Sequence, residues 1–261
     1  MPNDGRFAAV VLTLFVWGLA GALFGGLFAG LYQMLAVLGV SGWWLPLLAA
    51  TAAAMTTATF YSAMPVALAG AMGGVLGSIG YLVAAGHRID LATILFVTTL
   101  SGFVAGVFYA WTVRGNPRPL AGPLTGMLAG LGAGVVLILG LRFFEGPVGM
   151  FVLAAGVVAL VGTLFEVTER RIDRIAGLLP VAVGAPLIAG LIASVVGAGI
   201  WLMSGTTLGA LDPGTRDAIQ RLVTEIPPGA LGGMLGGAVT GVLLEFMGYR
   251  LEDRLRRGGL D

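Results

Sequence analysis

Gly229-Ala-Leu-Gly-Gly-Met-Leu-Gly-Gly-Ala-Val-Thr-Gly241 places Gly229, Gly233, Gly237 and Gly241 four residues apart in an otherwise apolar run. Residues spaced by four lie one above another on a helix of 3.6 residues per turn, so these glycines form a groove into which a second helix backbone can press. Gly122, Gly126, Gly130 and Gly134 repeat the device, and looser ladders of small residues run through Gly18/Ala22/Gly26/Gly30, Gly70/Gly74/Ser78 and Ala185/Ala189/Ala193/Gly197. The pattern implies an all-α, polytopic membrane bundle packed through glycine faces.

Composition supports the same class. Of 261 residues 57% are hydrophobic and 10% charged, a balance that would leave a soluble domain with apolar surface on every side. The 44 glycines follow no Gly-X-Y period and sit inside apolar runs, which excludes collagen and flexible linkers. With no cysteine, the chain can form no disulfide, thiolate metal site or iron–sulfur cluster. All 14 basic residues are Arg, so a lysine Schiff base or lysine nucleophile is excluded. A net charge of +1 gives no footprint for nucleic acid. The apolar run after Met1-Pro-Asn-Asp-Gly-Arg-Phe7 is too long for a signal-peptide core and is expected to be a retained helix.

A spanning helix needs about 20 apolar residues. Charge clusters and Pro/Gly turns divide the chain into eight such helices: 7–38, 43–61, 65–86, 91–113, 120–141, about 147–167, 178–203 and 228–248. They pair into four glycine-rich hairpins, at 7–62, 63–114, 119–174 and 178–257, within one transmembrane domain. The break between the second and third helices rests on Ser62-Ala63-Met64-Pro65 alone, where proline suits a first helical turn. In the long connection before the last span, Asp212-Pro213 reads as a cap and first turn. Ile219, Leu222, Val223 and Ile226 lie opposite Arg216, Asp217, Gln220 and Arg221, predicting an extracytoplasmic amphipathic helix over 212–226 that Pro227-Pro228 stops. Residues 249–261 form a charged cytoplasmic tail.

Arg counts orient the bundle, because cytoplasmic loops carry the excess. Ten Arg fall on the side of both termini (Arg6, Arg114, Arg118, Arg170, Arg171, Arg174, Arg250, Arg254, Arg256, Arg257) and four opposite (Arg88, Arg142, Arg216, Arg221). Both termini are therefore expected in the cytoplasm, in a bacterial-type plasma membrane. Trp43, Trp44, Trp111 and Trp201 fall at the expected helix ends, where the indole prefers the interface.

The ends of the even helices resemble one another: Thr57-Ala-Thr-Phe-Tyr-Ser62, Ala105-Gly-Val-Phe-Tyr-Ala110, Val161-Gly-Thr-Leu-Phe-Glu166 and Thr240-Gly-Val-Leu-Leu-Glu245. Pro123-Leu-Thr-Gly-Met-Leu and Pro186-Leu-Ile-Ala-Gly-Leu open related stretches of the fifth and seventh. Since every hairpin enters from the cytoplasm, the repeats would be parallel, related about an axis along the membrane normal.

Few residues can carry chemistry. The bilayer midplane is empty of charge, and the nearest acids are Glu166 and Glu245, one or two turns inside the cytoplasmic boundary. They are candidates for an ion or partner site, and a snorkelling pair of Glu166 with Arg170, or of Glu245 beside Tyr249 and Arg250, would equally account for them. Tyr32 and Gln33 read as interhelical hydrogen-bonding groups. Hydroxyls cluster at Thr51, Thr56, Thr57 and Thr59, and at Thr93, Thr98, Thr99 and Ser101. Thr56, Thr59, Thr98 and Ser101 are the candidates for a narrow polar path, although such hydroxyls can also bond the carbonyls of their own helix. His87, the only histidine, sits in a short turn beside Arg88 and Asp90 and suits solvation better than ligation.

The chain has no P-loop, HExxH, Gly-x-Ser-x-Gly or paired intramembrane acids, so no enzymatic role, cofactor or metal site is expected. Two functions lead, a permease or channel for an apolar or weakly polar solute and an accessory subunit packed by its glycine faces into a larger lipid- or pigment-binding assembly, with a membrane-embedded lipid enzyme a remote third. The expected partners are membrane lipids and either further copies of the chain or other membrane subunits.

Overall fold

A chain that cannot hydrogen-bond to solvent must satisfy its backbone internally, and helices do so within each segment. The computed structural model describes residues 3–85, 90–113, 119–176, 180–207 and 213–248. Among them are eight helices: α1 (Asn3–Val37), α2 (Trp44–Ser62), α3 (Met64–Ala85), α4 (Leu91–Thr112), α5 (Ala121–Gly140), α6 (Gly146–Ala176), α7 (Val181–Thr207) and α8 (Pro213–Phe246). Seven are long and apolar enough to cross a membrane; α2 lies outside that set. Side chains such as Phe15, Met72, Phe96, Phe108 and Trp111 are more than half exposed, a surface that lipid solvates and water does not. This is the surface of an integral membrane protein.

Local chemistry sets several boundaries. Gly39, at φ 86°, ends α1 in a Schellman arrangement, with Val40 N–H donating to the Leu35 carbonyl (3.0 Å) and Gly39 N–H to that of Ala36 (3.1 Å). Asp90 caps α4 by accepting from the Thr93 N–H at 2.9 Å and from the Thr93 hydroxyl at 2.8 Å. The uncharged boundary between α2 and α3 falls at Ala63, with Pro65 in the first turn of α3. Trp43 and Trp44 stack with ring centroids 3.8 Å apart at the start of α2, and exposed Trp111 lies at the end of α4, as interfacial indoles do. Trp201 differs, because α7 continues past it to Thr207.

Two helices run further than the sequence suggests. α6 continues through Glu169-Arg-Arg-Ile-Asp-Arg174 to Ala176, since a segment without Gly or Pro and rich in good helix formers has no reason to break at a change of polarity. α8 begins at Pro213 and incorporates Pro227 and Pro228, which do not stop it. Proline's fixed φ is helical, so each costs one ladder bond and some strain without changing direction outright. The expected surface helix is thus the first part of α8. Of its described apolar residues Leu222 is buried, while Val223 and Ile226 are exposed. Asp212, His87, Arg88, the break at 114–118 and the tail at 249–261 lie outside the described residues.

The chain forms two compact units. The first comprises Met1–Ala54, Leu128–Val167 and Thr224–Asp261, the second Met55–Met127 and Thr168–Val223. In the first, α1 and α8 run antiparallel through their glycines. A Cβ on Gly21 would fall on the Gly233 carbonyl and 2.8 Å from the Gly237 Cα, and one on Gly25 would fall on the Gly229 carbonyl. The closest approach on α1 is at Gly21 and Gly25, both buried, while a Cβ on Gly18 or Gly26 of the Gly18/Ala22/Gly26/Gly30 ladder would meet α8 at 3.6 Å. Gly130 and Gly134 of α5 meet Ala50, Ala54 and Leu47 of α2, also antiparallel, while Gly162 against Thr240 and Gly236 against Val158 set α6 parallel to α8. In the second unit, Gly70 and Gly74 of α3 meet Ala189 and Ala193 of α7 in parallel, and α4 runs antiparallel to both. Within each unit odd helices point one way and even helices the other.

Three antiparallel seams share one register. In α4 and α7 the paired positions are Gly106 with Ala185, Gly102 with Ala193 and Thr98 with Gly197. In α2 and α5 they are Ala58 with Gly122, Ala54 with Gly130 and Ala50 with Gly134. In α8 and α1 they are Gly241 with Thr13, Gly237 with Gly21 and Gly233 with Gly25. The alignment of Ala58, Gly106 and Gly241 by their motifs, and of Gly122 with Ala185 by the prolines that follow, is also the alignment of these contacts.

Candidate functional site

An apolar-outside bundle puts its polar groups inside. Thr13, Thr56, Thr59, Ser78, Thr98, Thr125, Glu166 and Thr240 are all buried. Two of them lie a turn apart on α2, where ten of 19 residues are buried, against four of 22 on α4. α2 carries no charge and three threonines within four residues, Thr56, Thr57 and Thr59.

Most hydroxyls are committed to their own helix. Thr51, Thr59, Thr98, Ser101, Thr125 and Thr240 each donate to the carbonyl four residues back, at 2.7, 2.7, 2.7, 2.8, 2.7 and 3.1 Å. Within an apolar medium this is the cheapest way to satisfy a hydroxyl proton. Thr98 sits fully buried against Gly197 of α7, and Ser101 faces Gly73 and Gly77 of α3. These two path candidates lie one turn apart on the same side of α4, one against α7 and the other against α3. Thr56 and Thr59, both fully buried, lie a turn apart on α2.

A hydroxyl bond joins two helices between Thr99 of α4 and Ser194 of α7. Thr99 has a single proton and donates it to the Leu95 carbonyl at 2.5 Å, so Ser194 is the donor to Thr99. Ser194 was not marked by any spacing in the sequence.

Thr57 differs from Thr59. Its Oγ1 is buried and has no hydrogen-bond partner among the described residues. An unmet buried hydroxyl costs about 1–3 kcal/mol, although an i−4 carbonyl is ordinarily within reach. The run Thr56-Thr57-Ala-Thr59 displays three hydroxyls to a reader of the sequence and gives no sign that the second is left unpaired.

The two acids come to one level of the first unit. The register of α6 on α8, Gly162 at Thr240, puts Glu166 level with Leu244 and beside the height of Glu245. Glu166 is buried and Glu245 partly so. Among the described residues no group of three or more acidic or His side chains could hold a metal ion. Gly122, Gly130 and Gly134 are occupied by α2, and Gly229, Gly233, Gly237 and Gly241 by α1; Gly126 is buried in α5. Outside the spans, Asp90 has its carboxyl held below the ordinary range, first by the Thr93 backbone N–H and then by the Thr93 hydroxyl.

No protein-family model matches this chain, and neither does any curated protein or solved structure.

Proposed function

We propose that the chain is a transport-type membrane protein, a permease or channel for an apolar or weakly polar solute, in which eight alternating helices form four hairpins with both termini in the cytoplasm. The observation that supports this reading best is α2. It is 19 residues long, about 28 Å at 1.5 Å per residue, close to the thickness of a bilayer core. It runs antiparallel to α5, itself apolar enough to span. With about half of its residues buried and five serine or threonine hydroxyls, α2 suits a helix that contributes to an interior route.

The accessory-subunit reading draws on a midplane empty of charge and on glycine faces that could meet a partner. The two longest glycine ladders pack largely within the chain, on α1 and α2, which leaves fewer glycine faces for a partner. The absence of charge from α2 argues for an uncharged solute.

Reconstitution into liposomes tests the proposal. Influx of neutral solutes such as glycerol or urea should exceed that of protein-free vesicles, and Thr56→Val should reduce it several-fold while the protein remains folded. Flux no greater than the vesicle background across such a panel defeats the transport reading. Stoichiometric foreign subunits in native mass spectrometry of the extracted protein would put the accessory reading in its place.

A further inference from the structure

The three seams in common register allow one position to be compared in three helices. Thr57 of α2 corresponds to Ala105 of α4 and to Thr240 of α8, each the residue before a seam position, Ala58, Gly106 or Gly241. The Ala105 Cβ packs at Gly73 of α3, 3.0 Å from where a Cβ there would lie. Thr240 packs on Gly162 of α6, and its hydroxyl donates to the Gly236 carbonyl at 3.1 Å. At both places the side chain serves packing, and where a hydroxyl exists it is spent on its own helix. Thr57 carries the same hydroxyl at the same position and leaves it buried and unbonded among the described residues.

Because the i−4 carbonyl is ordinarily available to a helical threonine, a hydroxyl left unspent marks a place where a partner is missing. We propose that Thr57 hydrogen-bonds the solute, an uncharged molecule with at least one hydrogen-bonding group. This deepens the transport reading above and rests on it. The hydroxyl offers one proton and two lone pairs, and α2 contributes no charged side chain, so the residue can recognise amide, hydroxyl or carbonyl groups and holds no ion. Thr59, two residues on from Thr57 and so on another face of α2, has its proton spent on the Met55 carbonyl at 2.7 Å.

Two measurements on the full chain test this with glycerol, urea and n-butanol as probes. In detergent, at least one probe should raise the melting temperature of the wild type. Thr57→Val should weaken that probe's apparent affinity by about tenfold, the scale of one lost hydrogen bond, while Thr57→Ser retains it and Thr240→Val leaves it unchanged. In liposomes, flux of the same probe should follow the same order. A Thr57→Val protein that binds and conducts like wild type overturns the assignment and leaves the transport reading standing. Probe binding that depends on Thr57 without any flux sustains the assignment and removes the transport reading. If no probe shifts the wild type and none is conducted, both fail.

Discussion

Gly232 and Gly233 are adjacent in the chain and opposite in consequence. A Cβ on Gly233 would meet the Gly21 backbone, whereas one on Gly232 meets nothing within 4 Å. Gly232→Ala should therefore be tolerated and gain about 0.5–1 kcal/mol from helix propensity. Gly233→Leu must push two backbones apart and should cost about 1–3 kcal/mol or more, enough to lower the yield of folded protein. Thermal unfolding of the two variants in one detergent measures the contrast. Asp90 offers a second residue-scale test. Its folded carboxyl is depressed, so the cap is in force above the ordinary Asp value, about pH 4, and is lost as pH falls through the lower folded value. Amide exchange at Thr93 should be faster in Asp90→Ala than in wild type at neutral pH, and the two should converge in acid. Asp90→Asn should keep most of the protection and show no such acid dependence.

At the scale of the helix, α8 carries a prediction of its own. Pro227 and Pro228 already sit inside it, so replacing both by Ala adds two N–H groups opposite the Val223 and Thr224 carbonyls. Those new amides should exchange slowly; rapid exchange at 227 and 228 would mean that the helix is interrupted there. What the sequence conveys well at this scale is whatever depends on a run of residues. The α2–α3 break at Ala63, drawn without any charge to guide it, is legible because Pro65 has one natural place in a helix. The ends of α6 and α8 are less so, because charge and proline are read as punctuation although neither necessarily breaks a helix. Which stripe of α1 is buried depends on the angle at which α8 crosses it, and Gly21 with Gly25 or Ala22 with Gly26 are equally plausible from spacing. The candidate site was legible as a threonine-rich helix. That the Thr57 hydroxyl is buried without a partner among the described residues is a matter of side-chain torsion, on which composition is silent.

For the molecule as a whole, the alternation of odd and even helices within each unit leads to a topology that can be measured. The chain has no cysteine, so single substitutions can be labelled on a clean background. With eight traverses, Asn3→Cys and Asp261→Cys should react from the same face of the membrane and Ser41→Cys from the other. Opposite faces for the two ends would mean that α2 does not cross. The α1–α8 seam also has a consequence for how the protein is made. Synthesis delivers α1 to the bilayer first and α8 last, yet Gly21 and Gly25 find their place only against Gly229, Gly233 and Gly237. Throughout translation the first helix waits in lipid with its thinnest face uncovered. An unfinished chain is therefore the form of this protein most apt to pair with the wrong neighbour.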